Sequence, residues 1–452
     1  MTIAEKVAHF CCDTAYEDLT DGVRELVKLV LADAIGVCML GAEDPASEIT
    51  ADYVREMGGA PLATVVRKGF KAPLALAALI NAQQAHIDDF DDNGLPGHVS
   101  SVLCGAALSL IEYCRCSGKE ILRAYALAME VEYRFADVLM DPLLKQGFCC
   151  SPVFGCIGAA VIASVMLKLN EQQICNAIAI VCSNTGGVTV NFGSSCKAYQ
   201  IGLAAESGIE AALLAQKGFD GKADCIEGKG GYSQVYCGKE LTAEDLDFDS
   251  DGWLIEQRGV ILKQFPSCLG SHGAVLGLLR FLEQENIPAE EIVHIKAGVC
   301  WLANRALAYP DPKSITESRF SMNFALANVL AYRYFGLRSF EHGVLEDAAI
   351  QENMKKISRE HAEELKDVYA DETMPTILTI TLKNGAVLRR ESCIPRVGAG
   401  EDSSDLIKRI RRKFADCTSK AFSAERADEL FDRILAMEKE MDIEWLINAV
   451  SN

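Results

Sequence analysis

Apolar residues recur every three or four positions along most of the first 260 residues, the period of helices with one buried face. Val23, Leu26, Val27, Val30 and Ala34 form one such stripe, and Thr20-Asp21 in front of it predicts its cap. Ser117-Gly-Lys-Glu120 has the spacing of a capping box and opens a second stripe through Ile121, Ala124, Leu127 and Val131. The stretches 74–81, 158–169 and 203–217 are apolar nearly all round, which predicts central, buried helices; Gly218 supplies a stop for the last. Beyond residue 262 the period changes. Ile292–Cys300 alternates like a strand, and two alternating runs around Lys383-Asn384-Gly385 predict a hairpin. Helical patterns lie between them at 324–334 and 353–357, and charged amphipathic helices follow Gly398-Ala-Gly400. The chain thus reads as mainly α: an all-helical domain of residues 1–262 plus 398–452, interrupted by a smaller α+β lid domain, 263–397.

The chain has 452 residues, half of them hydrophobic, which is enough for two cores and excludes a disordered protein. No repeat of 20–50 residues points to a solenoid. The best candidate membrane span, Ile157 to Leu167, meets Lys168, and Ser151-Pro152 interrupts the stretch before it. The N-terminus has no apolar run behind Glu5 and Lys6. These features predict a soluble, cytoplasmic protein. A net charge of −20 argues against nucleic acid and anionic membranes. It leaves an anionic small molecule open, because salt limits the reach of each charge to roughly 8 Å. Eighteen cysteines, none in a Cys-x-x-Cys pair and many in apolar helical stretches, read as packing thiols in a reducing compartment rather than a zinc or iron–sulfur site.

The candidate chemistry starts at His86-Ile-Asp-Asp-Phe-Asp-Asp92, followed by Asn93 and His98. Four carboxylates at the mouth of a buried helix cost free energy unless paired, hydrated or bound. Asp88-Asp-Phe-Asp-Asp92 also matches the Asp-Asp-x-x-Asp pattern of helical prenyl-diphosphate enzymes, which hold Mg²⁺ and need a second acidic set. The other acidic run, Asp245–Asp251, lacks a helical setting; counted as a calcium loop it places Arg258 where a bidentate Glu is required, so it reads as a solvated loop. Lys197, between a Gly/Ser-rich loop and an apolar helix, can present an ammonium to an anion or simply snorkel. Lys263-Gln-Phe-Pro-Ser-Cys268 and His272 lie at the boundary where the pattern changes, the setting in which ligand clefts concentrate. No dinucleotide fingerprint, Walker loop or nucleophile elbow is present.

Four segments together resemble the 2-methylcitrate dehydratase / cis-aconitate decarboxylase (MmgE/PrpD) family: His86–Asp92 with His98, Lys197–Gly221, Lys263–Cys268 with His272, and Arg319–Ala327. The resemblance implies a homodimer with a large helical domain and an α+β lid, working without cofactor or metal on di- or tricarboxylic acids. It implies that Asp89, His98, Lys197 and Lys263 are catalytic, the two lysines clamping substrate carboxylates while Asp89 or His98 moves a proton. Asn93, Cys268, His272 and Phe324 fall at substrate-contacting positions. Asn93 stands where the decarboxylase has Thr, Cys268 where a catalytic-type His is found, Phe324 where a Tyr is found, and Cys149 near another His. Fewer proton donors would suit a simpler proton transfer, such as that of an iminodisuccinate epimerase in the same family. A Mg-dependent prenyl enzyme and a non-catalytic relative are the remaining alternatives.

Overall fold

A computed structural model describes residues 1–248, 252–365, 374–394 and 403–451. The protein is mainly α with two small sheets. Thr20 does cap the helix Asp21–Gly41, and Ser117 closes a capping box on the 28-residue helix Gly118–Lys145. The apolar helices Leu74–Ile87, Ser100–Cys114, Cys150–Met166 and Ser195–Gln216 pack on one another at the centre. Two of them begin earlier than their hydrophobic runs. Pro152 sits in the first turn of Cys150–Met166, where the missing N–H has no helical partner to lose, so it opens the helix instead of breaking it. Ser195–Gln216 starts eight residues before Leu203, which places Lys197 on its first turn.

The sheets are minor in size. A short hairpin pairs β1 (Ala63–Val65) with β2 (Phe70–Ala72). The second sheet is built on β3 (Ile292–Val299), flanked in parallel by β4 (Ile357–His361) and antiparallel by β5 (Thr376–Leu382), with β6 (Val387–Ser392) outermost. The hairpin around Asn384-Gly385 is therefore β5–β6, and Gly385 takes the left-handed conformation its turn needs. The helix expected at 353–357 is instead Ala348–Met354, and Ile357 begins β4. β4 pairs only after a long excursion, so its five residues carry no local signal of a strand.

Burial separates two cores. One takes residues from Ile3 to Leu262 and again from Leu406 to Val450; the other takes residues from Phe265 to Ile380. The helices Ser403–Thr418 and Ala424–Leu435 pack on Asp21–Gly41, and Phe414 fills the space left by Gly36. Residues 398 and 400, at the expected return of the chain, lie outside the described residues, as do Asp249 and Asp251 of the second acidic run. No helix is long and apolar enough to cross a membrane among the described residues. All eighteen cysteines are free thiols.

Candidate active site

The acidic segment is a tight loop at the C-terminal end of Leu74–Ile87, and almost all of it is buried. A helix C-terminus presents unpaired carbonyls, which attract cations. Three cations from distant parts of the chain each bind one of three consecutive carbonyls here. Arg319 donates to the carbonyl of Asp88 (2.7 Å), Lys263 to that of Asp89 (2.8 Å) and Lys413 to that of Phe90 (2.6 Å). They hold Asp89 at φ +49°, a left-handed conformation that costs a non-glycine residue about 1 kcal/mol.

The four carboxylates then point to different surroundings. Asp88 pairs with Arg319 at 2.5 Å, and Asp92 accepts from the backbone N–H (3.1 Å) and hydroxyl (2.5 Å) of Ser100. Asp89 receives the Lys197 ammonium at 2.8 Å and has Lys263 at 3.3 Å. Asp91 bridges two imidazoles, His86 Nδ1 at 2.9 Å and His98 Nδ1 at 3.1 Å. The Asp-Asp-x-x-Asp spacing therefore does not converge on a shared metal position, since Asp88, Asp89 and Asp92 have separate partners. His86, Asp89, Asp91 and His98 are close enough to one another to hold an ion. Two of the four, however, are already taken by the Lys197 ammonium, 2.6 Å from His86 Nε2 and 2.8 Å from Asp89 Oδ1, so a divalent ion using them would have to displace a buried cation.

The electrostatics follow from those contacts. Burial alone would keep Asp89 protonated, but Lys197 and Lys263 outweigh it and hold the carboxyl well below the usual range. Asp91 is likewise held low against burial by the two histidines. Burial lowers His98 to about 3; Asp91 opposes this, while Lys197 and Lys263 add to it. His98 is thus neutral near pH 7. With Nδ1–H donated to Asp91, its Nε2 carries the lone pair, 3.5 Å from Asp89 Oδ1. Gly97, at φ +90°, sets the backbone of His98, whose N–H donates to Ser151 Oγ at 2.9 Å. A Cβ at Gly97 would sit 2.7 Å from that oxygen.

Asp89, His98 and Lys197 face one cavity of about 440 Å³, between the helical core and the start of the second core. Asn93 and Cys268 line it as well, Asn93 with a carboxamide oxygen that has no hydrogen-bond partner. Burial, with Asp89 nearby, raises the Cys268 thiol to about 11, so it is protonated. Three expectations change. Lys263 does not line this cavity: its ammonium lies behind Asp89, held by the carbonyls of Asp89 and Ser267, so it supports the loop. His272 is buried against Phe265 with Nε2 on the Ser267 carbonyl, and burial lowers it to about 3. Phe324 packs against Phe340 inside the second core, because its helix, Met322–Tyr332, lies against β4.

The sequence reading quotes His86, Asp91 and Arg319 only inside longer motifs and gives them no role of their own, and it does not single out Arg305. A histidine at the first position of the acidic run was the available signal for His86. Arg305 carried none, since it lies in a short helix, Trp301–Ala306, with nothing distinctive around it. It lines the cavity, donates to Thr189 Oγ1 at 3.0 Å and has no carboxylate within ion-pairing distance among the described residues.

Comparison with known proteins covers both halves of the chain. Residues 5–244 match the MmgE/PrpD N-terminal domain and residues 265–437 the MmgE/PrpD C-terminal domain. The second match continues into helices that pack with the first core. The chain is 28% identical over 409 residues to cis-aconitate decarboxylase of Mus musculus, covering 86% of this chain and 82% of that one. The Homo sapiens enzyme of that name is 28% identical over 398 residues, covering 83% and 79%. The cis-aconitate decarboxylase-like protein oryM of Aspergillus oryzae is 23% identical over 476 residues, covering 99% and 97%. Both halves of the chain thus match the two domains of one family, in order: the protein is a member of the MmgE/PrpD family.

Proposed function

We propose that the protein is a lyase that decarboxylates or dehydrates a di- or tricarboxylic acid by proton transfer next to a carboxylate, within a homodimer. The observation that carries this reading is geometric: His98 lines the cavity beside the Asp89–Lys197 pair, with Nδ1 on Asp91 and Nε2 3.5 Å from Asp89 Oδ1. A substrate carboxylate takes Lys197 as its counter-ion, and a second carboxylate takes Arg305 at the mouth. Charge that develops next to the first carboxylate is stabilised by a fixed ammonium in a site largely closed to water. In a dehydration His98 accepts the proton from carbon on Nε2, the imidazolium lying between the ionised Asp89 and Asp91, and that proton leaves with the departing hydroxide as water. In a decarboxylation the bond to carbon dioxide breaks instead, and the carbanion left behind takes its proton from an acid of the cavity, for which the Cys268 thiol is placed. Asp89 is held too acidic to donate a proton; its part is to pair with Lys197 and stabilise the charged histidine. The names of the mouse and human relatives favour cis-aconitate as the first acid to try.

One observation favours a second reading. Cys268 brings a protonated thiol to the cavity that His98 faces. A base and an acid of different kinds around one carbon suit epimerisation of a succinate-type acid. The test is incubation with citrate-, aconitate- and succinate-type acids in D₂O. Carbon dioxide or water release identifies the lyase, and deuterium uptake without either identifies the epimerase. No turnover of any acid by a folded protein overturns both readings.

A further inference from the structure

On the other side of the Asp88–Phe90 loop lies a larger cleft of about 1290 Å³, between the helices around residues 40–49 and 409–420 and the segments 315–319 and 334–342. Its floor contains Lys263, Arg319 and Lys413, already committed to the loop carbonyls. Its walls hold three further arginines of a different kind. Arg338 comes from the second core's side and Arg409 and Arg412 from the helix Ser403–Thr418, and none has a carboxylate within ion-pairing distance among the described residues. In a chain with 44 basic and 64 acidic residues, arginines are the side chains expected to find partners. The Arg409 Nε is buried with no acceptor among the described residues, a donor whose lost hydration none of them replaces. Arg338 is stacked over Tyr334 at 4.6 Å, which restricts its guanidinium. The cleft's acids are largely committed: Asp88 to Arg319, Glu43 to Arg67, and Asp44 to a helix cap. Glu341 and Asp416 remain as exposed carboxylates without ion pairs among the described residues.

We infer that this cleft is a second anion site, for a small phosphate-bearing molecule held between Arg338 on one wall and Arg409 and Arg412 on the other. Three guanidiniums from two walls suit a tetrahedral group with acceptors in several directions better than a planar carboxylate. Such a ligand would also tie the two cores together across the floor that supports Asp89. The site is separate from the catalytic cavity and stands whether or not the proposed reaction does.

The experiment is calorimetric titration of the full-length protein with inorganic phosphate, pyrophosphate and, as the carboxylate arm, succinate. Pyrophosphate should bind with a Kd of about 1 mM or tighter. Arg409→Gln/Arg412→Gln should weaken it by about tenfold or more, and Arg338→Gln should weaken it on its own. Lys197→Ala should leave it unchanged, because Lys197 lies in the other cavity; unaltered far-ultraviolet circular dichroism checks that each variant is folded. Three results overturn the inference: no phosphate binding by the wild type, binding lost in Lys197→Ala but kept in the arginine variants, or succinate bound as tightly as pyrophosphate by Lys197→Ala, in which the catalytic cavity has lost its ammonium.

Discussion

Asp89 and Asp92 lie in the same buried loop, and the fold drives them to opposite states. Asp89 faces the cavity among ammonium groups and stays ionised well below the usual range. Asp92 faces the helical core, where burial outweighs the Ser100 hydroxyl and backbone N–H and raises it to about 7. Glu132, further into the same core, is raised well above its ordinary value by burial, with Asp92 adding to it. Burial is comparable for the two aspartates; what differs is the partner. A hydroxyl satisfies lone pairs, whereas only a formal cation repays the lost hydration of a carboxylate. The negative charge in this loop is therefore not a shared property of four acids. It is concentrated by Lys197, Lys263 and the two histidines on the side where substrate would arrive.

Removing a cation from the cavity side should break that contrast most. Lys197→Ala takes away the ammonium that both keeps Asp89 ionised and faces the cavity, and kcat/KM should fall by about 10³-fold or more, at the upper end of losses for one electrostatic stabiliser. Lys263 still pairs with Asp89, so the fold should survive, as circular dichroism would check. Retained turnover would remove the basis of the proposed chemistry. His98→Gln comes next, with a drop in kcat of about 10²–10⁴-fold, the usual range for a general base. Because His98 is lowered to about 3, wild-type kcat/KM should show no inflection around pH 6.5, the ordinary histidine value. An acid limb there would mean that His98 is not held neutral as its surroundings require.

Much of this was legible in the sequence, for reasons that can be assigned residue by residue. The stripes behind Thr20 and Ser117 are local patterns, so helices and caps followed from spacing. The resemblance brought Asp89, His98 and Lys197 together, and these do share a cavity. It could not tell a group that faces the cavity from one that supports it. Lys263 lies beside Asp89 yet is turned to backbone carbonyls, a distinction that depends on which side of a loop an ammonium reaches. The roles of Arg319 and Lys413 were hidden for the same reason, since their partners are carbonyls more than 200 residues away. Phe324 was misplaced because a shift of one or two positions turns a helical side chain to another face, and this one faces the second core against Phe340.

The core side of the contrast is tested by Asp92→Asn, which should leave kcat/KM nearly unchanged and alter how stability depends on pH. Asp92 has a folded pKa of about 7 against about 4 when unfolded, so its stabilising, protonated state is complete at low pH and is lost as pH rises between those values. The wild type should lose on the order of a few kcal/mol relative to Asp92→Asn across that window. Melting temperatures of the two proteins, compared at each pH, should therefore diverge upward from pH 4 to 7 in favour of the variant. Parallel curves would show that Asp92 is ionised like Asp89.

Arg305→Gln should have the smallest effect and is the most informative about the acid itself. Arg305 lies at the mouth, exposed, with Thr189 as its hydrogen-bond partner, so its attraction for a carboxylate is screened by water. It makes no hydrogen bond or ion pair with Asp89 or His98, the groups placed where bonds would change. An interaction of that kind serves bound substrate and transition state alike, and its loss raises KM while leaving kcat nearly intact. About tenfold in KM is expected for a di- or tricarboxylate. A substrate analogue lacking the distal carboxylate should already bind weakly and lose little further in the variant. If the variant instead lowers kcat at unchanged KM, Arg305 acts in the chemical step, and the charge that matters in this cavity extends beyond the Asp89–Lys197 pair to its rim.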